Sequence, residues 1–376
     1  MHRSNLISDL FFVCCAAISL VTGNGHAAPV TIGFHDPLST SAVKIGGALK
    51  LEQQPILAVA IVNGRVIGVG LRGLIVLSDN GGETWRQAQV PVQSDLTAVS
   101  FPTKTRGWAV GHDGVILTTR DAGETWSKQL DGKMATSLLT DYYQKRIDAG
   151  DANMQRYLDH VKLNDARGPA TLPYLSVCFE SEQTGYVAGS FGSILATQDG
   201  GKTWEPWLHR VDNKKFLNLN EIRRISSNLY MVGEHGMIWK FDKAKQRFNV
   251  VPTGYRGSFF SIGGSGEKLL AVGLGGAIFR STNGGTSWKS LSIGTHATLT
   301  AITATRDGLL PLIASQDGEL FTGDAGWQVF RTLPVDRRMP FTSSVIVDEV
   351  GRIILAGYGG IRVHVLQTIP ATTKEK

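Results

Sequence analysis

Apolar positions along this chain come in short runs separated by polar, glycine-bearing corners, and almost nowhere in long helical stripes. Residues 107–129, GWAVGHDGVILTTRDAGETWSKQ, show the pattern best. A short apolar run meets a tight corner at Gly111-His112-Asp113-Gly114, a second apolar run follows, and a polar corner closes on Trp126. Residues 66–87, 185–207 and 269–291 repeat it clearly, and residues 229–251, 312–330 and 353–367 repeat it more weakly. The residues that open the glycine corners are Gly70, Gly111, Gly189, Gly233, Gly273, Ser315 and Gly357, so the steps are 41, 78, 44, 40, 42 and 42 residues. A period of roughly 40–45 residues built only of short strands and turns is the signature of a β-propeller blade. The pattern predicts an all-β, seven-bladed β-propeller over residues 28–367, and the long step predicts an insertion between blades 2 and 3.

Each unit reads as four strands. In the second unit they are expected at 96–101, 107–111, 115–119 and 125–130. Glycines in the corner between the second and third strands supply the positive φ of a tight hairpin. The corner between the third and outer strands reads SDNGGETW, TRDAGETW, TQDGGKTW and STNGGTSW in four units, which is the Asp-box, or BNR repeat. Asn80, Asp121, Asp199 and Asn283 are expected to accept hydrogen bonds from N–H groups of their own turns. Trp85, Trp126, Trp204 and Trp288 are expected to cap each sheet against its neighbour, with Trp327 in a shortened fifth copy. Residues repeated once per blade on a tight turn are folding devices, not catalytic groups.

The last unit shows three strands and no outer one, so part of residues 30–51 is expected to supply the missing strand and close the ring. In the insertion, residues 132–170, the apolar residues Met134, Leu138, Leu139, Tyr142, Tyr143 and Ile147 recur at helical spacing. Gly150 is expected to stop that helix, and Asp151 to cap a second one carrying Met154, Tyr157, Leu158 and Val161. A helical hairpin laid on one face of the ring follows. Its aromatic stripe is expected to pack against the propeller more readily than to open a groove for a partner.

Composition refines this picture. The 42% apolar and 19% charged fractions permit a sizeable core. A net charge of +6 is mildly basic and spread along the chain, with no Lys/Arg block that argues for nucleic acid. Residues 1–27 read as a secretory signal with cleavage after Ala27, which places the protein outside the cytoplasm, in a periplasm. Residues 368–376 read as a flexible tail. The mature chain then keeps only Cys178, so no disulfide partner and no cysteine metal site are expected. No cofactor is expected, and a monomer is.

In a propeller the second corner of each blade and the links between blades share one face. Here that face carries Arg72, His112, Asp113, Phe191, Glu234, His235, Gln316, Asp317 and Tyr358, with Tyr142 and Tyr143 on the insertion beside it. Convergence of His112, Asp113, Glu234, His235 and Asp317 at the central channel is the arrangement a metal or acid/base site would need. No spacing among them is diagnostic, and no catalytic motif is present. Asp-boxes also occur in sialidases, but the Arg-Ile-Pro motif of those enzymes is absent.

Exported propellers whose units read GWAVG-x-x-G-x-I-L-x-T-x-D-x-G-x-T-W resemble the photosystem II stability/assembly factor family. The resemblance covers nearly the whole mature chain and is strongest over 107–126 and 185–204. It implies a non-enzymatic scaffold that binds a membrane protein or its exported segment and aids assembly or stability. The insertion is a departure from that family's compact form. The alternative is a glycan-directed protein, either a sialidase-like hydrolase or a lectin-like binder.

Overall fold

The structure, a computed structural model, describes residues 36–47, 49–166, 172–305, 307–335, 337–340 and 342–365. The expected signal sequence and C-terminal tail lie outside those residues.

Seven antiparallel sheets form in chain order: blade 1 (residues 56–87), blade 2 (96–130), blade 3 (174–206), blade 4 (219–251), blade 5 (259–291), blade 6 (299–333) and blade 7 (342–365). Blades 1 to 6 have four strands each, laid out sequentially from the innermost to the outermost. The two middle strands read as unbroken apolar runs because each sheet is sandwiched between two others, which buries both of their faces. In blade 2, Gly107–Gly111 and Ile116–Thr119 are buried at every position. The outer strand Ser127–Leu130 buries only its last residue.

The core is accordingly a ring of inter-blade layers. Ile67, Val69 and Leu77 of blade 1 pack with Ala109, Leu117 and Trp126 of blade 2. Ile56, Val66 and Val76 of blade 1 pack with Ile354, Ala356 and Ile361 of blade 7, which closes the ring. Every inner strand carries a bulge at the same place, skipping Leu57, Thr97, Leu175, Asn220, Phe260, Thr300 and Ser343. The polar bulge residues tie one blade to the next. Thr97 Oγ1 donates to the Tyr174 carbonyl (2.6 Å), Asn220 Nδ2 to Phe259 (2.7 Å), Thr300 Oγ1 to Thr342 (2.6 Å) and Ser343 Oγ to Leu57 (2.8 Å).

Blade 7 has three strands among the described residues, and in the segment expected to close the ring residues 36–47 and 49–51 do not pair with it as a strand. They run along the outer side of blade 1 and the link that follows it. The Ala42 amide donates to the Val90 carbonyl at 3.0 Å, and the Gln93 amide to the Pro37 carbonyl at 2.7 Å. Ile45 N–H bonds Gln87 Oε1 at 2.9 Å. The outer strand of blade 1 is only Arg86–Gln87, so residues beyond it are left to accept this strap. Residues 30–35 lie outside the described residues.

The insertion folds as α1 (Gly132–Asp148) and α2 (Gln155–Asp165). Asp131 caps α1, accepting from Met134 N–H at 3.1 Å. Gly150 ends α1 with φ 96°, as a left-handed stop should. Asp151 does not cap α2; its carboxylate is taken by Arg146 at 2.6 Å, and α2 starts through a turn at Ala152–Met154. The buried stripe also begins one residue later than expected: Met134 is exposed, and Ala135 is buried against the ring.

Candidate functional site

Local chemistry builds the two faces of the ring differently. On one face each Asp-box is a self-contained hydrogen-bonded knot. Asp121 Oδ1 accepts from Thr125 N–H (3.0 Å), and Thr119 Oγ1 accepts from Gly123 N–H (3.1 Å) while donating to Asp121 Oδ1 (2.7 Å). The same bonds recur at Asn80–Thr84 (3.0 Å), Asp199–Thr203 (2.9 Å) and Asn283–Ser287 (3.0 Å). Those donors hold the Asp121 and Asp199 carboxyls below their usual range against the opposing effect of burial. Trp85, Trp126, Trp204 and Trp288 each lie in the layer shared with the preceding blade. These aspartates are spent on their own turns.

The opposite face carries the glycine corners. The opening glycine is extended: Gly111 has φ −176°. A side chain there would collide with the Asp95 carbonyl oxygen, where the incoming link crosses the corner. Positive φ falls instead on the closing Gly114 and on the residue before it, which is not glycine in four blades: Arg72, Asp113, Phe191 and His235 all have φ between 52° and 57°. The link between blades secures that strained residue. Arg72 N–H donates to Asp95 Oδ1 (2.8 Å), Phe191 N–H donates to Asn218 Oδ1 (2.7 Å), and Asp113 Oδ2 accepts from Ser94 Oγ (2.7 Å).

The candidate residues are therefore spread around the ring. Arg72 sits on blade 1, His112 and Asp113 on blade 2, Gln316 and Asp317 on blade 6, and Tyr358 on blade 7. The convergence of His112, Asp113, Glu234, His235 and Asp317 that a metal site would need is not found among the described residues. Glu234 is turned to the Asn218 amide (2.9 Å), and among the described residues no group of three His, Cys, Asp or Glu side chains is placed to hold a metal ion.

The structure does bring together blade 4, the preceding link and the helical hairpin. The hairpin lies on the glycine-corner face: Gly114 abuts Gly132, His160 Nε2 is 2.8 Å from the Phe191 carbonyl oxygen, and Arg156 donates to the Lys214 carbonyl at 2.8 Å. Tyr143 is fully buried and so belongs to the docking contact, not to an exposed surface. Its hydroxyl and that of Tyr142 flank His209, 3.4 and 3.5 Å from the two ring nitrogens. Burial, and then the charges of Arg146 and Arg210, push His209 down to about 4. Burial opposes ionisation of Glu205, yet the bonds from Trp207 (3.1 Å) and Arg210 (3.0 Å) outweigh it and hold the carboxyl below its usual range.

Beside this hairpin opens a groove of about 450 Å³. Met237, Val250, Pro252 and Tyr255 give it an apolar floor, and Lys214, Lys215 and His235 stand at its rim. Trp239 fixes the wall by donating to the Asp212 carbonyl at 2.9 Å, and Asn213 clamps the loop through Leu217 at 2.9 and 3.0 Å. The Arg156 guanidinium lies 5.2 Å from the Phe216 ring centre at the adjoining edge. Lys214 and Lys215 outnumber Asp212, the one carboxylate residue in the groove's lining, and Arg156 stands at the adjoining edge, so the rim is net positive. Of the groove, only His235 stood out in sequence. The available signal was the longer step of 44 residues between Gly189 and Gly233, which holds the Lys214-Lys215 pair.

Comparison with known proteins matches this architecture. The family model described as photosynthesis system II assembly factor YCF48 matches residues 52–150 and 159–338. The photosystem II stability/assembly factor HCF136 of Arabidopsis thaliana is 26% identical over 264 residues, spanning 59% of this chain and 63% of that protein. The photosystem II assembly lipoprotein Ycf48 of Synechococcus sp. (strain CC9902) is 23% identical over 215 residues, spanning 51% of this chain and 63% of that protein. The chain thus spans a little under two thirds of these relatives. Among solved structures, YCF48 bound to D1 peptide superposes with a TM-score of 0.61 at 18% identity, covering 87% of this chain and 99% of that one. The WD40 β-propeller domain of Doa1 gives 0.60 at 10% identity, covering 88% and 97%. At such identities the superpositions speak to the fold alone.

Proposed function

This chain belongs to the photosynthesis system II assembly factor YCF48 family, and from that premise we propose that it is a non-enzymatic, exported propeller scaffold that holds an exported segment of a membrane protein during assembly. The observation that carries this reading is the groove beside Lys214 and Lys215, with its apolar floor and positive rim. An extended segment offers such a groove apolar side chains for the floor and acidic groups for the rim. Its main chain can use the exposed polar groups of the glycine corners. A family structure in complex with a D1 peptide supports a peptide as the type of ligand. Arg72, His112, Asp113, Phe191, Glu234, Asp317 and Tyr358 would extend contact around the same face, and Tyr142 would act through the hairpin.

Among the described residues no helix is long and apolar enough to cross a membrane. In this reading the membrane partner comes to the scaffold. Export rests on the signal-like residues 1–27 and on the lipoprotein among the relatives. The test is capture from solubilised membranes with the full chain, with a Lys214→Glu/Lys215→Glu variant and with a variant lacking the hairpin. Recovery of a membrane protein by wild type, and its loss from the charge-reversed groove, is the expected result. Recovery of the same proteins by all three, or of none by wild type, overturns the reading.

A further inference from the structure

We propose that a small oxyanion, a phosphate or a carboxylate, binds between blades 2 and 3 on the Asp-box face, at the buried guanidinium of Arg106. This site lies on the opposite face from the groove and does not rest on it.

One device recurs around the ring. The residue that opens the second strand of a blade reaches the Asp-box of the next. Arg65 Nη1 donates to the Ala122 carbonyl (3.0 Å), Arg106 Nη2 to Gly200 (3.2 Å) and Lys268 Nζ to Ala325 (2.9 Å). Where this residue is an arginine, a carboxylate normally accompanies it. Arg65 pairs with Asp79 (2.5 Å) and Glu124 (2.9 Å), and Arg352 of blade 7 pairs with Asp348 (2.5 Å).

Arg106 departs from the pattern. It is the most deeply buried of the three arginines, at 7% exposure, yet among the described residues it forms no ion pair. Its second contact is the Thr119 carbonyl at 3.5 Å. Glu182 faces it but accepts from Thr103 Oγ1 (2.8 Å), and Asp199 is occupied by Thr203. Arg120 and Lys202 line the same cavity of about 120 Å³ with Glu182 and Asp199, so with Arg106 three cations face two carboxylates. Burial, and then the like charge of Arg120, pull the Arg106 guanidinium below its usual value, and the charge of Glu182 offsets this only in part.

A desolvated charge beside a like charge is unfavourable unless a counter-charge joins it. The cavity has room for roughly four water volumes, enough for a phosphate group or a carboxylate. The fork is also held in place: the Arg106 guanidinium lies 4.6 Å over the Trp108 ring, which stacks on Phe179 at 3.5 Å. The three cations outnumber Glu182 and Asp199, so the cavity keeps a net positive charge around a fixed guanidinium, the donor group that planar or tetrahedral oxyanions need.

The anion can be free or can be an acidic group of a macromolecular partner, and two probes separate these sources. Inorganic phosphate and an acetylated tetraglutamate peptide are titrated calorimetrically into the full chain at constant ionic strength. The variants are Arg120→Gln and Lys202→Gln, which are exposed and leave the packing intact, and Arg106→Lys. Saturable binding is expected, weakened about tenfold by loss of one charged donor. Binding of both probes marks a pocket open to a partner's acid, and binding of phosphate alone marks a free-anion site. Either result supports the proposal if Arg120→Gln weakens it. No binding to wild type, or equal affinity in wild type and Arg120→Gln, overturns it. Because Arg120 does no core packing, this readout does not depend on Arg106→Lys folding.

Discussion

The hydroxyl of Tyr143 lies 3.4 Å from Nδ1 of His209, joining a buried residue of the inserted hairpin to the link that follows blade 3. The ring is held neutral there, because burial and two nearby arginines depress its pKa to about 4. An unfolded or undocked His titrates near 6.5, so between about 6.5 and 4 the undocked state binds the extra proton. Docking of the hairpin is therefore fully stabilised above about pH 6.5 and weakens as the pH falls towards 4, by at most about 3 kcal/mol, with solvent screening reducing that figure. Trp207 fluorescence or hydrogen exchange of α1 and α2 across this range should show the loss. A His209→Phe variant should flatten it; an unchanged profile in that variant would assign the effect to carboxylates.

Trp126 fills the layer between blades 1 and 2 and donates to the Gly123 carbonyl at 2.9 Å. Trp126→Ala should cost on the order of 3–5 kcal/mol of stability in urea denaturation, through the cavity it leaves. Thr119→Ala, which removes a methyl and the hydroxyl that accepts from Gly123 N–H and donates to Asp121, should cost about 1–2 kcal/mol. Equal losses would show that the hydrogen-bonded knot, and not the ring, secures the corner.

Gly111 is extended, so its backbone alone would tolerate any residue. Yet a Cβ would meet the Asp95 carbonyl. Gly111→Ala should destabilise by roughly 1–3 kcal/mol, as overpacking does. Gly46→Ala, with open space around it, should stay within about 0.5 kcal/mol. Matching melting temperatures for the two variants would count against close approach as the reason for glycine.

Cys178 is buried on the inner strand of blade 3, and burial above all pushes its thiol up to about 12. It should stay unreactive towards a thiol reagent at pH 8 in the folded protein and react fully in denaturant. Rapid labelling of native protein would show that the inner strand opens.

Much of the ring was legible in the sequence because its interactions are local. The Asp-box is closed by bonds that span two to four residues, so TRDAGETW specifies its corner without help from the rest of the chain. The middle strands are buried on both faces and read as apolar runs. The helices of the insertion announced themselves by spacing, and Gly150 by its position. Other features were less accessible. Gly111 is needed for an approach by Asp95, which is distant in sequence, and no local rule shows that. Asp151 suits a cap but is drawn to Arg146. Residues 36–47 were free to complete blade 7 on any sequence argument, yet the short outer strand of blade 1 offers them unpaired carbonyls at Val90 and nearby.

The period of the glycine and tryptophan corners alone determined the number of blades and the place of the insertion, because every blade repeats the same short-range bonds. Only the tertiary structure decided which polar residues meet. The corner residues Arg72, His112, Asp317 and Tyr358 share a face but sit on different blades, whereas Lys214 and Lys215, inconspicuous in the sequence, stand together at a groove. Arg106 and Arg65 occupy equivalent positions, and only packing across the blade boundary gives one its carboxylates and leaves the other without them. Contacts of that kind depend on the radial spacing of whole sheets, and a linear pattern does not carry that distance.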